Sequence, residues 1–429
     1  MPPRLLAAAA LAAALLALGG ASQAAEPSDE AVRKLVASPA FKAAVATLDR
    51  EHDRIVADIV TLTEIPAPPF KEAAKGRAVL AMMKAEGLSD VETDAEGNVM
   101  GLRRGSGAAG GPVVVLAAHQ DTVFPEGTPV KVRREGTRLF APGVGDDTRS
   151  LAVMLAYIRA LDAAKIVTRR DILFVADVGE EGPGDLRGMR YLFGKGKYKD
   201  RIKAFFSMDG SDAAGITYGA VGSRRYRVAF HGPGGHSYGA FGIVNPMAAM
   251  ARAVDQLYEV KVPAKPKVTY SASVVSGGVS VNSIPADVSL EVDMRSESKE
   301  ELAKLDARFL QIIKAAAEHE NAARDTRFGK VTVTPKLIGE RPTGATNPEA
   351  PIVRTTAAAA RAFGYTPRLG ASSTDSNIPI SLGIPAVTIG SGGTAGRAHS
   401  LDEWIDVAKP ESVRGMSVGL AALLATAGV

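Results

Sequence analysis

Five segments of this chain, four of them apolar runs, lead to side chains that can bind a metal ion. The clearest is residues 172–176, which a short turn connects to the adjacent carboxylates of Glu180 and Glu181. A short apolar run that ends at a glycine-rich turn predicts a buried strand. Because two neighbouring carboxylates at the exit of a buried strand repel each other and lose solvation, we expect a cation beside them.

The same arrangement recurs elsewhere in the chain. Residues 113–118 lead to His119 and Asp121, residues 204–208 lead to Asp209, residues 385–389 lead through glycines to His399, and Asp146 and Asp147 precede a helical stretch at 150–161. Ligands of open α/β sheets bind outside the carboxyl ends of the strands. Two histidines and several carboxylates without a thiolate suit zinc and similar divalent metals. The sequence therefore predicts a metal site at one edge of a sheet.

Alternating strands and helices define the predicted fold. From residue 113 onward the alternation indicates an α/β class, with a mainly parallel mixed sheet flanked by helices. The rhythm changes near Gly222, and residues 223–340 follow the order β-α-β-β-α-β of a ferredoxin-like α+β module. We expect residues 25–222 and 341–429 to form the main domain, with 223–340 inserted into it.

Residues 1–24 are typical of a cleaved signal peptide. Arg4 gives a short positive start, residues 5–18 are apolar, and small residues at 22–24 fit a cleavage site. The alternative is a retained N-terminal anchor. The chain contains no cysteine, which is compatible with an oxidising compartment. We expect a periplasmic or secreted protein that leaves the membrane after signal cleavage.

The charge pattern argues against nucleic acid as a partner. The formal net charge is only +4 at pH 7, and lysine and arginine are scattered along the 429 residues. A nucleic-acid site usually needs clustered basic residues. We therefore expect a small-molecule partner.

The ordered set of motifs resembles a known family. His119-x-Asp121, Asp146-Asp147, Glu180-Glu181, Asp209, Gly-Gly-His236-Ser and His399 follow the order found in the di-zinc exopeptidases and deacylases, which include glutamate carboxypeptidase, peptidase T, carnosinase and acetylornithine deacetylase. The resemblance covers essentially all of the mature chain. Thr148 stands where the family often has lysine, and this departure is similar to peptidase T.

The resemblance implies two zinc ions per subunit, with Co²⁺ or Mn²⁺ as possible substitutes. Asp146 would bridge the two ions. His119 and Asp209 would complete one site, and Glu181 and His399 would complete the other. A carboxylate between two cations with an imidazole on each metal lowers the pKa of bound water and leaves room for substrate.

The resemblance also implies catalytic and substrate-binding roles. Glu180 would be the general base that acts on a metal-bridging water. Asp121 would accept a hydrogen bond from the second ring nitrogen of His119 and so fix its tautomer. The substrate-binding residues would be His236, Asn282 and Arg295, of which Arg295 suits bidentate recognition of a carboxylate.

The implied function is zinc-dependent hydrolysis of the amide bond of a small peptide. An N-acyl-amino-acid deacylase is the alternative within the family, and the sequence does not separate aminopeptidase, carboxypeptidase and dipeptidase activity. By the resemblance, residues 223–340 would form a lid that can also support a homodimer.

Two functions of other classes compete with this interpretation. Residues 235–239 match the G-x-S-x-G pattern of a serine hydrolase, and Ser237, Asp375 and His399 follow the chain order of its triad. That motif needs a strand that leads at once into a helix, and Pro246 delays the helix here. A non-catalytic peptide-binding protein is the other rival, although no expected ligand or base is missing.

Overall fold

The computed structural model describes residues 27–429, so the predicted signal peptide at 1–24 lies outside the described residues. The strands of the described part are, in chain order, β1 (Ser89–Thr93), β2 (Val99–Arg103), β3 (Val113–His119), β4 (Arg133–Glu135), β5 (Arg138–Phe140), β6 (Asp171–Asp177), β7 (Ile202–Met208), β8 (Gly215–Ala220), β9 (Gly222–His231), β10 (Gly235–His236), β11 (Val268–Gly277), β12 (Ser283–Ile284), β13 (Asp287–Ser296), β14 (Thr332–Arg341), β15 (Gly344–Ala345), β16 (Arg368–Ser372), β17 (Ala386–Ile389), β18 (Thr394–Gly396) and β19 (Trp404–Asp406).

The helices lie mainly before, between and after these strands. In the same residues they are α1 (Pro27–Ala37), α2 (Pro39–Arg50), α3 (His52–Thr63), α4 (Ala73–Ala85), α5 (Arg149–Ala163), α6 (Arg187–Gly194), α7 (Pro246–Tyr258), α8 (Lys299–Ala323), α9 (Pro351–Ala362), α10 (Asn377–Ser381) and α11 (Lys409–Ala427). Within residues 27–429, none of the helices combines the length and the apolar composition that crossing a bilayer requires.

A large mixed sheet forms the centre of the molecule. Its order within the described residues is β1-β2-β6-β3-β7-β17-β8-β15, with β16 also paired to β8. The central strands β6, β3, β7 and β17 are parallel, whereas β1, β2, β8 and β15 join by antiparallel pairing. The predicted α/β class with a mixed sheet flanked by helices is confirmed, and the parallel pairing is concentrated at the centre.

Both faces of this sheet are buried, which explains the continuous apolar runs of the sequence. In β3, Val114 and Leu116 pack into the core beneath α1, α2, α3 and α5, whereas Val113 and Val115 pack into a second core beneath α6. Successive side chains of a strand point to opposite faces. A strand covered by helices on both sides must therefore be apolar at every position.

The inserted residues form a sheet of their own. Strands β11, β13, β9 and β14 pair in that order and are all antiparallel, with α7 and α8 packed against them. This element order is the predicted β-α-β-β-α-β. The module has a separate hydrophobic core around Phe230, Leu290 and Phe309. Its ends are adjacent, because Ser223 and Arg341 are cross-strand neighbours.

The separate core and the adjacent ends predict that residues 223–340 fold without the rest of the chain. A domain is expected to fold alone when it has its own core and few contacts cross its boundary. Expressed alone, this segment should show a single cooperative urea transition by circular dichroism. The Phe309→Ala variant is the control and should lower the midpoint, because truncating a buried Phe typically costs about 3–5 kcal/mol. A gradual, non-cooperative loss of signal would contradict the predicted domain division.

Candidate metal centre

The carboxyl ends of the central strands bring the predicted metal ligands together. His119 ends β3, Glu180 and Glu181 lie in the turn after β6, Asp209 follows β7, His399 lies in the loop between β18 and β19, and Asp146 lies in a π-type turn just before α5. Neighbouring parallel strands end at the same edge of a sheet, so residues distant in the sequence meet there.

Asp146 lies between the two histidines. Its Oδ1 is 3.0 Å from Nε2 of His119, and its Oδ2 is 3.0 Å from Nε2 of His399. The same Nε2 of His399 is 3.0 Å from Oε1 of Glu181. Each oxygen of one carboxylate therefore faces a different imidazole, as the predicted bridging role requires.

The donor atoms fit a divalent metal centre. His119, Asp146 and Asp209 form one group and Asp146, Glu181 and His399 another, and within each group the donor atoms lie within 4.8 Å of one another. The Asp209 carboxylate accepts no hydrogen bond from residues 27–429, and burial together with the charge of Asp146 raises its pKa to about 7. A buried carboxylate without a partner is expected to bind a cation or a proton. Imidazole and carboxylate donors suit zinc and related ions.

The histidine pKa values follow from the same contacts. Hydrogen bonds to Asp146 and Glu181 raise the pKa of His399 to about 10. Burial alone would lower the pKa of His119, but its hydrogen bond to Asp146 and the charges of nearby aspartates raise that pKa well above its usual value. Without metal, protons on the two imidazoles therefore offset the carboxylates.

Asp121 makes a different contact from the one that the sequence suggested. The second ring nitrogen of His119, Nδ1, lies 3.0 Å from the backbone carbonyl of Asp121, whereas the Asp121 carboxylate is 3.7 Å away. That carboxylate instead accepts hydrogen bonds from the backbone N–H groups of Gly179, Glu180 and Glu181, at 2.9, 3.1 and 2.8 Å. Asp121 thus orients His119 through its main chain and holds the glutamate turn through its side chain.

Glu403 holds the turn that carries Asp146, and no sequence motif marks this residue. Its carboxylate accepts hydrogen bonds from the N–H groups of Gly143, Gly145 and Asp146 at 3.0, 2.7 and 2.8 Å. Hydrogen bonds from several backbone N–H groups to a carboxylate are charge-assisted, and together they fix its position. Lys75 adds a buried cation nearby, with its Nζ 3.3 Å from Oγ1 of Thr148.

Arg341 pairs with Glu180, the expected base, and this partner was not identified from the sequence. Its Nη1 donates to Oε1 of Glu180 at 2.9 Å and to Oγ of Ser373 at 3.0 Å, and its Nη2 donates to the Glu180 carbonyl. Both Arg341 and Glu180 are buried. Burial raises the pKa of Glu180 well above its usual value, and the Arg341 charge opposes that rise. Arg341 is the last residue of β14, so its partner could not be inferred without the fold.

A cavity of about 410 Å³ opens onto these side chains. It is lined by Val123, Asp146, Glu180, Glu181, Gly182, Asp209, Arg225, Arg295, Arg341, Ser372, Ser373 and His399. Arg295, which is predicted to bind a substrate carboxylate, therefore lines the site. Arg225 lies in the same cavity and belongs to no motif found in the sequence.

Two predicted substrate-binding residues lie apart from this cavity. His236 is exposed on the short strand β10, where its Nδ1 accepts from the N–H groups of Tyr238 and Gly239 at 3.2 Å. The Asn282 carbonyl accepts a hydrogen bond from the N–H of Ser237 at 2.9 Å. Asn282 therefore lies next to His236, which precedes Ser237 in the chain. Within this chain the structure does not bring His236 or Asn282 to the metal ligands.

The serine-hydrolase geometry is not formed. Helix α7 begins only at Pro246, so Ser237 lies in an extended turn and not between a strand and a helix. His399 contacts Asp146 and Glu181, while Asp375 is fully buried beside Asp177. The three residues of the alternative triad therefore have other partners.

The comparison with known protein families agrees with this site. The model of peptidase family M20/M25/M40 matches residues 115–425, which is well over half of the chain. Carboxypeptidase G2 from Pseudomonas sp. (strain RS-16) is 24% identical over 237 residues, a region that spans 53% of this chain and 56% of that relative. The family match confirms the resemblance drawn from the motifs.

Solved structures show the same fold. The aminopeptidase PepT from Bacillus cereus superposes with a TM-score of 0.68 at 21% identity, covering 87% of this chain and 99% of its own. The Bacillus subtilis YXEP protein, described as a dinuclear metal binding peptidase, gives a TM-score of 0.60 at 16% identity, covering 87% and 98%. At these identities the likeness establishes the fold alone.

The raised pKa of His399 predicts that metal binding releases protons. Because a ligating imidazole must be neutral, zinc must displace the proton that His399 carries at pH 7 in the metal-free chain. Titration calorimetry in two buffers of different ionisation enthalpy should give different heats, and the apparent zinc affinity should rise as the pH approaches about 10.

The same shift fixes the sign of the pH effect on stability without metal. A pKa raised in the folded chain gives a contribution that is full below about pH 6.5 and is lost as the pH rises through about 10. His399→Ala should reduce the proton release, whereas His236→Ala, at an exposed position, should not. Equal heats in both buffers would show that His399 is neutral in the metal-free site.

Proposed function

We propose that this chain, which belongs to peptidase family M20/M25/M40, is a metal-dependent exopeptidase that acts on small peptides. The observation that carries the proposal is the Asp146 carboxylate, whose two oxygens face two imidazoles in the cavity that Glu180 also lines. Family membership makes the protein a hydrolase of peptide or amide bonds. Zinc is the proposed metal because every donor is an imidazole or a carboxylate.

His119, Asp146 and Asp209 would hold one ion, and Asp146, Glu181 and His399 the other. When bound, such ions supply a Lewis acid that polarises the carbonyl of the scissile bond. The resemblance of YXEP, described as a dinuclear metal binding peptidase, supports the count of two ions.

Glu180 is suited to move the proton. Its Oε1 is occupied by Arg341, and its Oε2 accepts no hydrogen bond from the described residues while the side chain lines the cavity. Oε2 can take a proton from the attacking water and deliver it to the leaving nitrogen. Arg341 keeps the carboxylate in one orientation, so the free oxygen faces the reaction.

The signal-peptide pattern of residues 1–24 supports export to the periplasm or the exterior. The exposed apolar side chains Tyr238, Phe241, Val279 and Val281 support a homodimer through the inserted module, which we also propose as a lid. A deacylase of N-acyl amino acids is the second candidate, because Arg295 in the cavity suits the free carboxylate of either substrate class.

Metal dependence is the first test of the proposal. Exhaustive chelation should abolish hydrolysis of a dipeptide panel, and added zinc should restore it. Ser237→Ala should keep most activity, because Ser237 does not contact His399. The enzyme is also incubated with dipeptides, tripeptides and N-acyl amino acids. Mass spectrometry of the products would then identify the substrate class. Activity that survives chelation and disappears in Ser237→Ala would overturn the metal assignment in favour of the serine one.

The adjacent glutamates should fail in different ways. Glu180→Gln keeps the shape but removes the basic oxygen, so it should retain metal while the rate falls by the ~10²–10⁴-fold typical of general base loss. Glu181→Ala removes a donor that faces His399 and should weaken metal binding directly. Elemental analysis beside kcat measures both. If Glu180→Gln loses a metal ion, or turns over near the wild-type rate, the two roles are wrongly divided.

A further inference from the structure

Two arginines and an aspartate share one face of the sheet in the inserted module. Asp293 and Arg295 are two residues apart on β13, so their side chains point to the same side. Arg225 on β9 is the cross-strand partner of Asp293 and therefore lies on that side too. Both arginines line the cavity that contains Glu180 and the proposed metal ligands.

Asp293 orients the two guanidinium groups. Its Oδ1 accepts from Nε of Arg225 at 3.0 Å, and its Oδ2 accepts from Nε of Arg295 at 2.6 Å. Each arginine thus donates a hydrogen bond from its Nε atom to the Asp293 carboxylate. Both Nη atoms of Arg295 and Nη2 of Arg225 make no hydrogen bond within residues 27–429 and remain for a ligand.

Arg225, Arg295 and Asp293 together carry one more positive charge than negative charges. Arginine stays protonated in proteins, so two guanidinium groups and one carboxylate carry a net charge of +1. The side chains are partly shielded, with 17% of Arg225 and 39% of Arg295 exposed. The Asp185 carboxylate also acts electrostatically on Arg225, but within residues 27–429 it makes no hydrogen bond to that arginine. The unbonded guanidinium nitrogens are therefore left to a ligand, and carboxylate geometry matches the guanidinium fork.

Arg225 also contacts the turn that carries the metal ligands. Its Nη1 donates to the carbonyl of Gly182 at 3.0 Å, directly after Glu181 in the chain. A substrate group bound to Arg225 is therefore held at a fixed distance from the cluster. A substrate held in this way has its scissile bond at a defined position relative to the proposed metal ligands. Arg225 would therefore influence which substrates react as well as how tightly they bind.

We propose that Arg225 is a specificity-determining residue that forms, with Arg295 and oriented by Asp293, a two-guanidinium clamp for a substrate carboxylate. The preferred substrates are then peptides or acylated amino acids with a free carboxylate, and the corresponding carboxamides are poor substrates. This inference rests on the proposed hydrolase function and adds to it a residue that no sequence motif marks.

The test compares Arg225→Met with a matched control on the same strand. Arg227 lies two residues further along β9, on the same face, and pairs across the strands with Glu291, its Nε 2.8 Å from Oε1. It is not among the residues that line the cavity. The substrates are one dipeptide with a terminal carboxylate and the same dipeptide as its carboxamide.

The measured quantity is the acid-to-amide ratio of kcat/KM in zinc-loaded enzyme. Arg225→Met should lower this ratio ~10-fold or more, mainly through KM, as expected for loss of a hydrogen bond to a charged group. Arg225→Lys, which keeps the charge but not the fork, should lower it less. Arg227→Met should leave it unchanged. Metal content and melting temperature are measured for each variant, and Arg225→Lys serves if Arg225→Met does not fold.

The outcomes separate the clamp from the proposed function. An equal loss for acid and amide with metal retained, or the same loss of ratio in Arg227→Met, would overturn the clamp while leaving the hydrolase in place. If the wild type hydrolyses neither dipeptide, the proposed function fails on this substrate class. In that case calorimetric binding of the same acid and amide to the wild type and to Arg225→Met still decides the clamp, since equal affinities of the wild type for both refute it.

Discussion

Carboxylates buried together at one edge of a sheet are the constraint on which the rest of this structure depends. Each carboxylate removed from water must find a cation, a proton or several N–H donors. Asp121 and Glu403 are satisfied by backbone N–H groups, and Glu180 is satisfied by Arg341. Among residues 27–429 Asp209 has no such partner, and Asp146 contacts two imidazoles. The carboxylates proposed as metal ligands, Asp146, Glu181 and Asp209, thus accept no hydrogen bond from a backbone N–H group within residues 27–429.

The main features of the fold and of the metal cluster could be predicted because they are local in sequence. The apolar runs identify buried strands, and the carboxyl ends of parallel strands must meet, so His119, Glu181 and Asp209 were expected to converge. The order of the inserted module followed from its changed hydrophobic rhythm. Which outer strands pair antiparallel was not predicted, because short strands such as β8 and β15 carry little periodic signal.

The parts that could not be predicted depend on pairing across the fold. Arg341 reaches Glu180 from the end of β14, and Arg225 faces Asp293 only because of the register between β9 and β13. A shift of one residue in that register would turn Arg225 to the other side of the sheet. The role of the Asp121 carboxylate also depended on where the glutamate turn folds. Sequence spacing contains neither kind of information.

The position of Arg341 links two parts of the molecule that are otherwise distinct. It is the last residue of β14, the closing strand of the inserted segment, and its guanidinium donates a hydrogen bond to Glu180, the proposed base. A displacement of this segment would therefore change the surroundings of Glu180 and would also break the contact of Arg225 with the Gly182 carbonyl. With Glu180 as the proposed base, an arrangement in which β14 moves away would leave the side chains of the proposed metal ligands in place while Glu180 loses the cation that orients it.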